Sequence, residues 1–217
     1  MTEQVPGTCL LCGLMSPASF FKDRNRLYHH CVCCDLIYVD KAFHLDALEE
    51  KDVYDQHEND SEDVGYRKFL GRLFDPLESK LEKGARGLDF GSGPGPTLSL
   101  MFSEAGYDMY IYDKFYAADE SVFQESYDFI SSTEVIEHLD HPKRELDRLW
   151  SCLKPGGYLG LMTKLATGEK SFPTWHYKND PTHIAFYSKA SFAYLAEKLN
   201  ASLEFFGTDV IILRKEA

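Results

Sequence analysis

From residue 86 to residue 214 the chain alternates two hydrophobic patterns. Short apolar runs at 86–90, 108–112, 127–131 and 157–163 read as strands, and stretches at 96–105, 142–153 and 188–199 read as helices. Two further strand-like runs, 202–206 and 209–214, close the pattern. Strands alternating with helices predict an α/β fold with a Rossmann-like, doubly wound, mostly parallel sheet. Ahead of the first strand, Phe69, Leu70, Leu73, Phe74, Leu77 and Leu81 recur at three- and four-residue spacing, predicting a helix over 66–81 that packs on the sheet. Pro76 marks a bend in that helix, or a new start with Asp75 as its N-cap. Further upstream, the stretch 46–63 carries Glu49, Glu50, Asp52, Asp55, Glu58, Asp60, Glu62 and Asp63, and is expected to be a solvated face or a mobile lid.

The junction of the first strand and first helix carries the most chemistry. Gly87-Leu88-Asp89-Phe90-Gly91-Ser92-Gly93-Pro94-Gly95-Pro96 joins an apolar strand ending in a carboxylate to three alternate glycines and a proline suited to the first helical position. Glycines in such a loop let the backbone approach a ligand where a Cβ would collide. A pyrophosphate cradle needs G-x-G-x-x-G and its backbone donors. Here the third glycine comes one residue early, and Pro94 and Pro96 each remove an N–H, which disfavours a dinucleotide. The next apolar run ends at Asp113, where a carboxylate can accept hydrogen bonds from ribose hydroxyls.

These residues resemble the class I S-adenosylmethionine-dependent methyltransferases, whose D/E-x-G-x-G-x-G signature is followed by an acidic residue ending the second strand. The resemblance covers roughly residues 70 to 217. Tyr127-Asp128-Phe129-Ile130-Ser131-Ser132-Thr133-Glu134-Val135-Ile136-Glu137-His138-Leu139 looks like the family's fourth strand and the loop after it. Leu153-Lys154-Pro155-Gly156-Gly157-Tyr158-Leu159 looks like its turn into strand five. The resemblance implies S-adenosylmethionine as cofactor, bound by Asp89, Gly91, Ser92, Gly93, Gly95, Asp113, Lys114, Phe115, Thr133 and Glu134. In that set Asp89 reaches the amino group, the backbone around Gly91 and Gly93 holds the amino-acid portion, and Glu134 lines the methionine part. One departure from the family is visible: 14 residues separate Asp113 from Asp128. That is too few for the usual helix, third strand and second helix, so the third strand is expected to be short or missing. Phe115 and Tyr116 then cover the adenine or fill the gap as core.

Methyl transfer is an in-line displacement that depends on holding nucleophile and methyl in line. Methylation of oxygen or a neutral nitrogen releases a proton, so a base helps. His138, after the fourth strand, and His183 are the candidate catalytic residues, with capping or packing as the other reading of His138. Trp175, His176 and Tyr177 lie in an aromatic, polar run after strand five, the edge where α/β sheets bind ligands, and are expected to be substrate wall. Thr182-His183-Ile184-Ala185-Phe186-Tyr187-Ser188 resembles bacterial small-molecule methyltransferases of the quinone and secondary-metabolite type. The expected reaction is methylation of a small or carrier-linked acceptor at oxygen, nitrogen or carbon. The alternatives are methylation of RNA or protein, and a cofactor-binding module without turnover.

Five of six cysteines fall in the first 34 residues, as Cys9-Leu10-Leu11-Cys12 and Cys31-Val32-Cys33-Cys34. Two C-x-x-C pairs 18 residues apart match a four-cysteine structural zinc site, with Cys9, Cys12, Cys31 and Cys34 as ligands of a zinc-ribbon-like segment. Phe20-Phe21 and Leu27-Tyr28-His29-His30 supply a hairpin between them. Cys33, His29 or His30 could replace one ligand, and disulfides or redox chemistry fit less well. Such a closed site holds structure, and the functional reading of the ribbon is docking of a macromolecular substrate or partner. Cys152 is expected to be plain core. The domain boundaries follow: 1–40 zinc-ribbon-like segment, 41–84 acidic linker and helix, 85–217 Rossmann-like domain. A net charge of −12 makes nucleic acid an unlikely partner, and 44% hydrophobic residues suffice for a packed core. No apolar run nears the length of a membrane span, and the N-terminus lacks a basic region followed by an apolar one, so a cytoplasmic location is expected.

Overall fold

The computed structural model describes residues 8–15, 19–56 and 60–216. In chain order its elements are β1 (Ser19–Lys22), β2 (Leu27–His30), β3 (Ile37–Val39), α1 (Ala47–Tyr54), α2 (Val64–Glu78), β4 (Arg86–Phe90), α3 (Thr97–Glu104), β5 (Asp108–Tyr112), β6 (Tyr127–Thr133), α4 (Pro142–Cys152), β7 (Leu153–Met162), β8 (Ala185–Phe186), α5 (Lys189–Leu199), β9 (Ala201–Phe206) and β10 (Val210–Lys215).

The central sheet has six strands in the order β5-β4-β6-β7-β10-β9. Its pairs β5/β4, β4/β6 and β6/β7 are parallel, and β10 runs antiparallel to both β7 and β9. Successive side chains of a strand point to opposite faces, and both faces are covered. Phe129, Met162 and Ile212 pack with Leu70, Leu73 and Leu77 of α2 and Phe102 of α3. Ile130, Leu161 and Ile211 face the other layer, with Leu146 and Leu149 of α4 and Phe192 of α5. Burial on both faces explains why these strands read as unbroken apolar runs. β5 is an edge of this sheet, so the strand that would lie outside it is absent among the described residues. A short 3₁₀ turn, Glu120–Gln124, occupies part of the connection instead.

Two helices differ from expectation. α2 starts at Val64 because Asp63 caps it, its side chain accepting from the N–H groups of Gly65 and Tyr66, and it runs through Pro76 without a second start. The acidic stretch contains a real helix, α1, opened by a capping box between Asp46 and Glu49.

A second sheet, wholly antiparallel, has the order β1-β2-β3-β8. Its fourth strand comes from the segment after β7, with Ile37 opposite Phe186. Arg26 crosses the same junction and donates to the backbone oxygens of Lys178, Pro181 (3.3 Å) and His183 (2.9 Å). The buried Lys178 ammonium donates to Asp23 Oδ2 at 3.0 Å. The N-terminal segment therefore braces the loop that follows β7.

Candidate active site

The chain leaves β4 for β5 on one side, and β6 lies on the other side of β4. A crevice opens at such a switch point, outside the carboxyl ends of the strands. A cavity of about 440 Å³ occupies it. Every residue the sequence assigned to the cofactor, from Asp89 and the glycine loop to Thr133 and Glu134, lies on its wall, as do His138 and His183.

The loop geometry accounts for its composition. The N–H groups of Gly91 and Ser92 both donate to the Tyr112 carbonyl (2.7 and 3.2 Å), folding the loop over the end of β5. Gly91 has φ +77°, and a Cβ there would sit 2.4 Å from Val135 Cγ2, so a larger residue meets both strain and collision. Gly93 N–H donates to Asp113 Oδ2 at 2.9 Å, while Asp113 Oδ1 accepts from the N–H groups of Phe115 (2.8 Å) and Tyr116 (3.1 Å). One carboxylate thus ties the loops after β4 and β5 together on the cavity wall. Asp89, buried at the end of β4, accepts from Ser131 Oγ at 2.8 Å. Burial pushes its pKa up to about 6, and the nearby Asp113 adds to the rise.

α1 covers this half of the site. Its Glu50 takes the Lys114 ammonium at 2.6 Å, and the Tyr54 ring lies 5.9 Å from Phe115 and 5.4 Å from His138. Glu50, Tyr54, Tyr66 and Phe69 all line the cavity and were not singled out as ligand contacts in the sequence. The Asp46-Ala47-Leu48-Glu49 capping box was the available signal for α1.

The opposite wall is built from the loop after β6 and the loop after β7. Glu134 sits at φ +51°, a left-handed conformation costly for a glutamate and typical of residues held in place by a site. The Tyr177 hydroxyl donates to Glu134 Oε2 at 3.0 Å and also contacts Glu137 Oε1. One phenolic proton serves one carboxylate, so the second contact needs a proton on a carboxyl. Burial, then the adjoining Glu134 charge, pushes Glu137 up to about 8, marking it as the carrier. His138 Nδ1 lies 3.1 Å from the Thr182 carbonyl and His183 Nδ1 2.8 Å from the Tyr177 carbonyl. A carbonyl only accepts, so in each ring Nδ1 carries the hydrogen and Nε2 keeps a lone pair. Burial lowers both pKa values, that of His138 to about 3, so both rings are neutral near pH 7.

Trp175, His176 and Tyr177 fall outside the wall of this cavity. Trp175 and Tyr177 pack in the aromatic cluster of the second sheet with Tyr28, Phe172 and Phe186. His176 is exposed, with Nε2 3.3 Å from Lys164 Nζ. An aromatic run in a loop signalled packing beneath the site, and Tyr177 touches the ligand wall from behind, through its hydroxyl on Glu134 and its ring and carbonyl against His183.

At the other end of the second sheet the thiols of Cys9, Cys12, Cys31 and Cys34 lie within 4.8 Å of one another. The two turns repeat one backbone pattern. Gly13 N–H donates to Cys9 O and Cys9 N–H to Leu14 O; Asp35 N–H donates to Cys31 O and Cys31 N–H to Leu36 O. Gly13 and Asp35 occupy the same left-handed position. Four sulfurs at about 2.3 Å from a tetrahedral ion would stand about 3.8 Å apart, and the pairs Cys9/Cys34 and Cys12/Cys31 stand at 3.5 and 3.4 Å. The donor set fits zinc. Cys33 is exposed, while His29 and His30 pair with Asp40 and Asp35, so none of the three belongs to the cluster. All six cysteines are free thiols, and Cys152 is core.

A six-stranded α/β sheet with a glycine loop, a second-strand acid and a cavity across its switch point defines a methyltransferase-like protein. The chain belongs to the methyltransferase-domain family, whose pattern matches residues 39–204. Among solved structures it is similar to 1,6-didemethyltoxoflavin-N1-methyltransferase of Burkholderia thailandensis, bound to 1,6-didemethyltoxoflavin and S-adenosylhomocysteine. That match has a TM-score of 0.59 and 16% identity, and covers 92% of this chain and 99% of the other. It is also similar to magnesium protoporphyrin IX methyltransferase of Synechocystis PCC 6803 with bound S-adenosylhomocysteine (TM-score 0.54, 14% identity, 78% and 94% coverage). At these identities the likeness is one of fold. No curated protein matches the sequence. No helix among the described residues is long and apolar enough to cross a membrane.

Proposed function

We propose that the chain is an S-adenosylmethionine-dependent methyltransferase acting on a small-molecule acceptor. The observation that carries this reading is the convergence of Asp89, the Gly91–Gly95 loop, Asp113 and Glu134 on one cavity. Asp89 faces the cofactor's amino group, Asp113 its ribose, and Phe115 beneath Tyr54 its adenine. When bound, the cofactor supplies an electrophilic methyl on a sulfonium. The protein's task is to hold that methyl in line with an acceptor and keep bulk water out. His138 and His183, neutral near pH 7, present Nε2 lone pairs at the far wall, where the acceptor sits. Small-molecule acceptors are favoured by the size of the cavity, about 440 Å³, by the net charge of −12, and by neighbours such as the toxoflavin and protoporphyrin enzymes.

The four thiols are read as a structural zinc site that fixes β1–β3 against the loop after β7. Calorimetry with S-adenosylmethionine tests the main reading. Wild type should bind, and Asp113→Asn, which keeps one acceptor oxygen but puts an amide against backbone N–H groups, should bind at least about tenfold more weakly, about 1.4 kcal/mol. A folded wild type with no binding at millimolar cofactor removes the proposal.

A further inference from the structure

We infer that Glu137, His138 and His183 form a binding site for a divalent transition-metal cation at the inner wall of the cavity. Their donor atoms all lie within 4.8 Å of one another, on two separate loops. Three observations go beyond proximity. First, both imidazoles are anchored through Nδ1–H on backbone carbonyls, those of Thr182 and Tyr177, which leaves the Nε2 lone pairs for a ligand, with the Asp180 carboxylate 3.8 Å from that of His183; metal-ligating histidines are held in this way. Second, Glu137 is fully buried, yet its Oε2 has no hydrogen-bond partner. In its carboxylate form that oxygen is costly to leave unpaired in the interior, and a cation taking the place of the carboxyl proton would satisfy it. Third, Glu134, three residues earlier and held at a strained φ, also has a buried, unpartnered oxygen, Oε1. It adds a second acidic group beside Glu137 whose charge a cation would offset.

The donors are imidazole and carboxylate with no thiolate, which suits Mn, Fe, Co or Zn in the divalent state. Three protein ligands leave coordination positions open, as in catalytic rather than structural sites, and two of the three ligands line the cavity.

Resting on the methyltransferase reading, this site names an acceptor class: hydroxylated molecules whose oxygen can coordinate the cation. Coordination lowers the hydroxyl's pKa. Its proton passes to bulk water, the C–O bond forms as the C–S bond breaks, and the sulfonium leaves as a neutral thioether.

Equilibrium dialysis against micromolar Zn²⁺, with elemental analysis and S-adenosylhomocysteine calorimetry on the same samples, tests the site. His138→Gln and His183→Gln should each carry about one zinc per chain fewer than wild type. Equal zinc in wild type and both histidine variants overturns the site. Cofactor-product binding is read separately: if the folded protein binds S-adenosylhomocysteine with no histidine-dependent zinc, only this inference fails. If the histidine-dependent zinc is present without that binding, the site stands and the methyltransferase reading fails.

Discussion

Asp89 is the residue whose charge state matters most to the proposed cofactor. Burial raises its pKa to about 6, whereas a positively charged amino group needs the ionised form. Linkage sets the sign: affinity for S-adenosylhomocysteine is level above about pH 6 and falls as protons compete below it, approaching tenfold per unit. The same shift acts on stability. In the range between its ordinary carboxyl pKa and about 6, the folded state binds more protons than the unfolded one, so this group's contribution is full below that range and declines as pH rises through it. Calorimetry from pH 5 to 8 on wild type and Asp89→Asn checks the first statement, and the same acid-side slope in the variant refutes it. At this scale the sequence was legible wherever backbone conformation dictates the residue, as at Gly91 and Gly93. It was illegible where a role depends on what lies behind a side chain. Tyr177 stood in a run that read as substrate wall, and only the fold shows it supporting Glu134 from outside the cavity.

Elements were legible in proportion to their burial. β4, β6 and β7 are covered on both faces and showed as apolar runs, and the short interval between Asp113 and Asp128 foretold a missing edge strand. α1 has no buried residue, so it left no apolar stripe, and its acid-rich sequence could only be read as a solvated face or lid. Pro76 misled for a different reason. It lies in the last turn of α2, where losing one backbone donor leaves the helix almost complete. Because α1 adds little to the core but sets Tyr54 against Phe115 and His138, Tyr54→Ala should separate binding from folding. Cofactor affinity should drop by about tenfold, about 1.4 kcal/mol, with little change in Tm. Unchanged affinity by calorimetry would show that α1 does not close the site.

The two sheets share one loop, and that sharing couples the thiol cluster to the cavity. The cluster holds the turns on either side of the β1–β2 hairpin, β3 pairs with β8, and Arg26 grips the backbone at Lys178, Pro181 and His183. The cysteine spacing was plain in the sequence, but its coupling to residues 178–186 was not, because nothing local announces a two-residue strand such as β8. If zinc sets the geometry of the cluster, its loss in Cys9→Ser should loosen β1–β3 first and then the loop carrying His183. Asp89, Gly93 and Asp113 are held by the central sheet, through Ser131, Tyr112 and the loop's own bonds, and should keep their places. The expected signature is uneven. Amide exchange should speed up across 26–39 and 178–186 and stay slow in β4, β5 and β6, while methyl transfer falls further than S-adenosylhomocysteine affinity. Exchange that rises equally in both sheets would mean that the thiol cluster supports the whole fold, and exchange that rises in neither would mean that it supports nothing beyond itself.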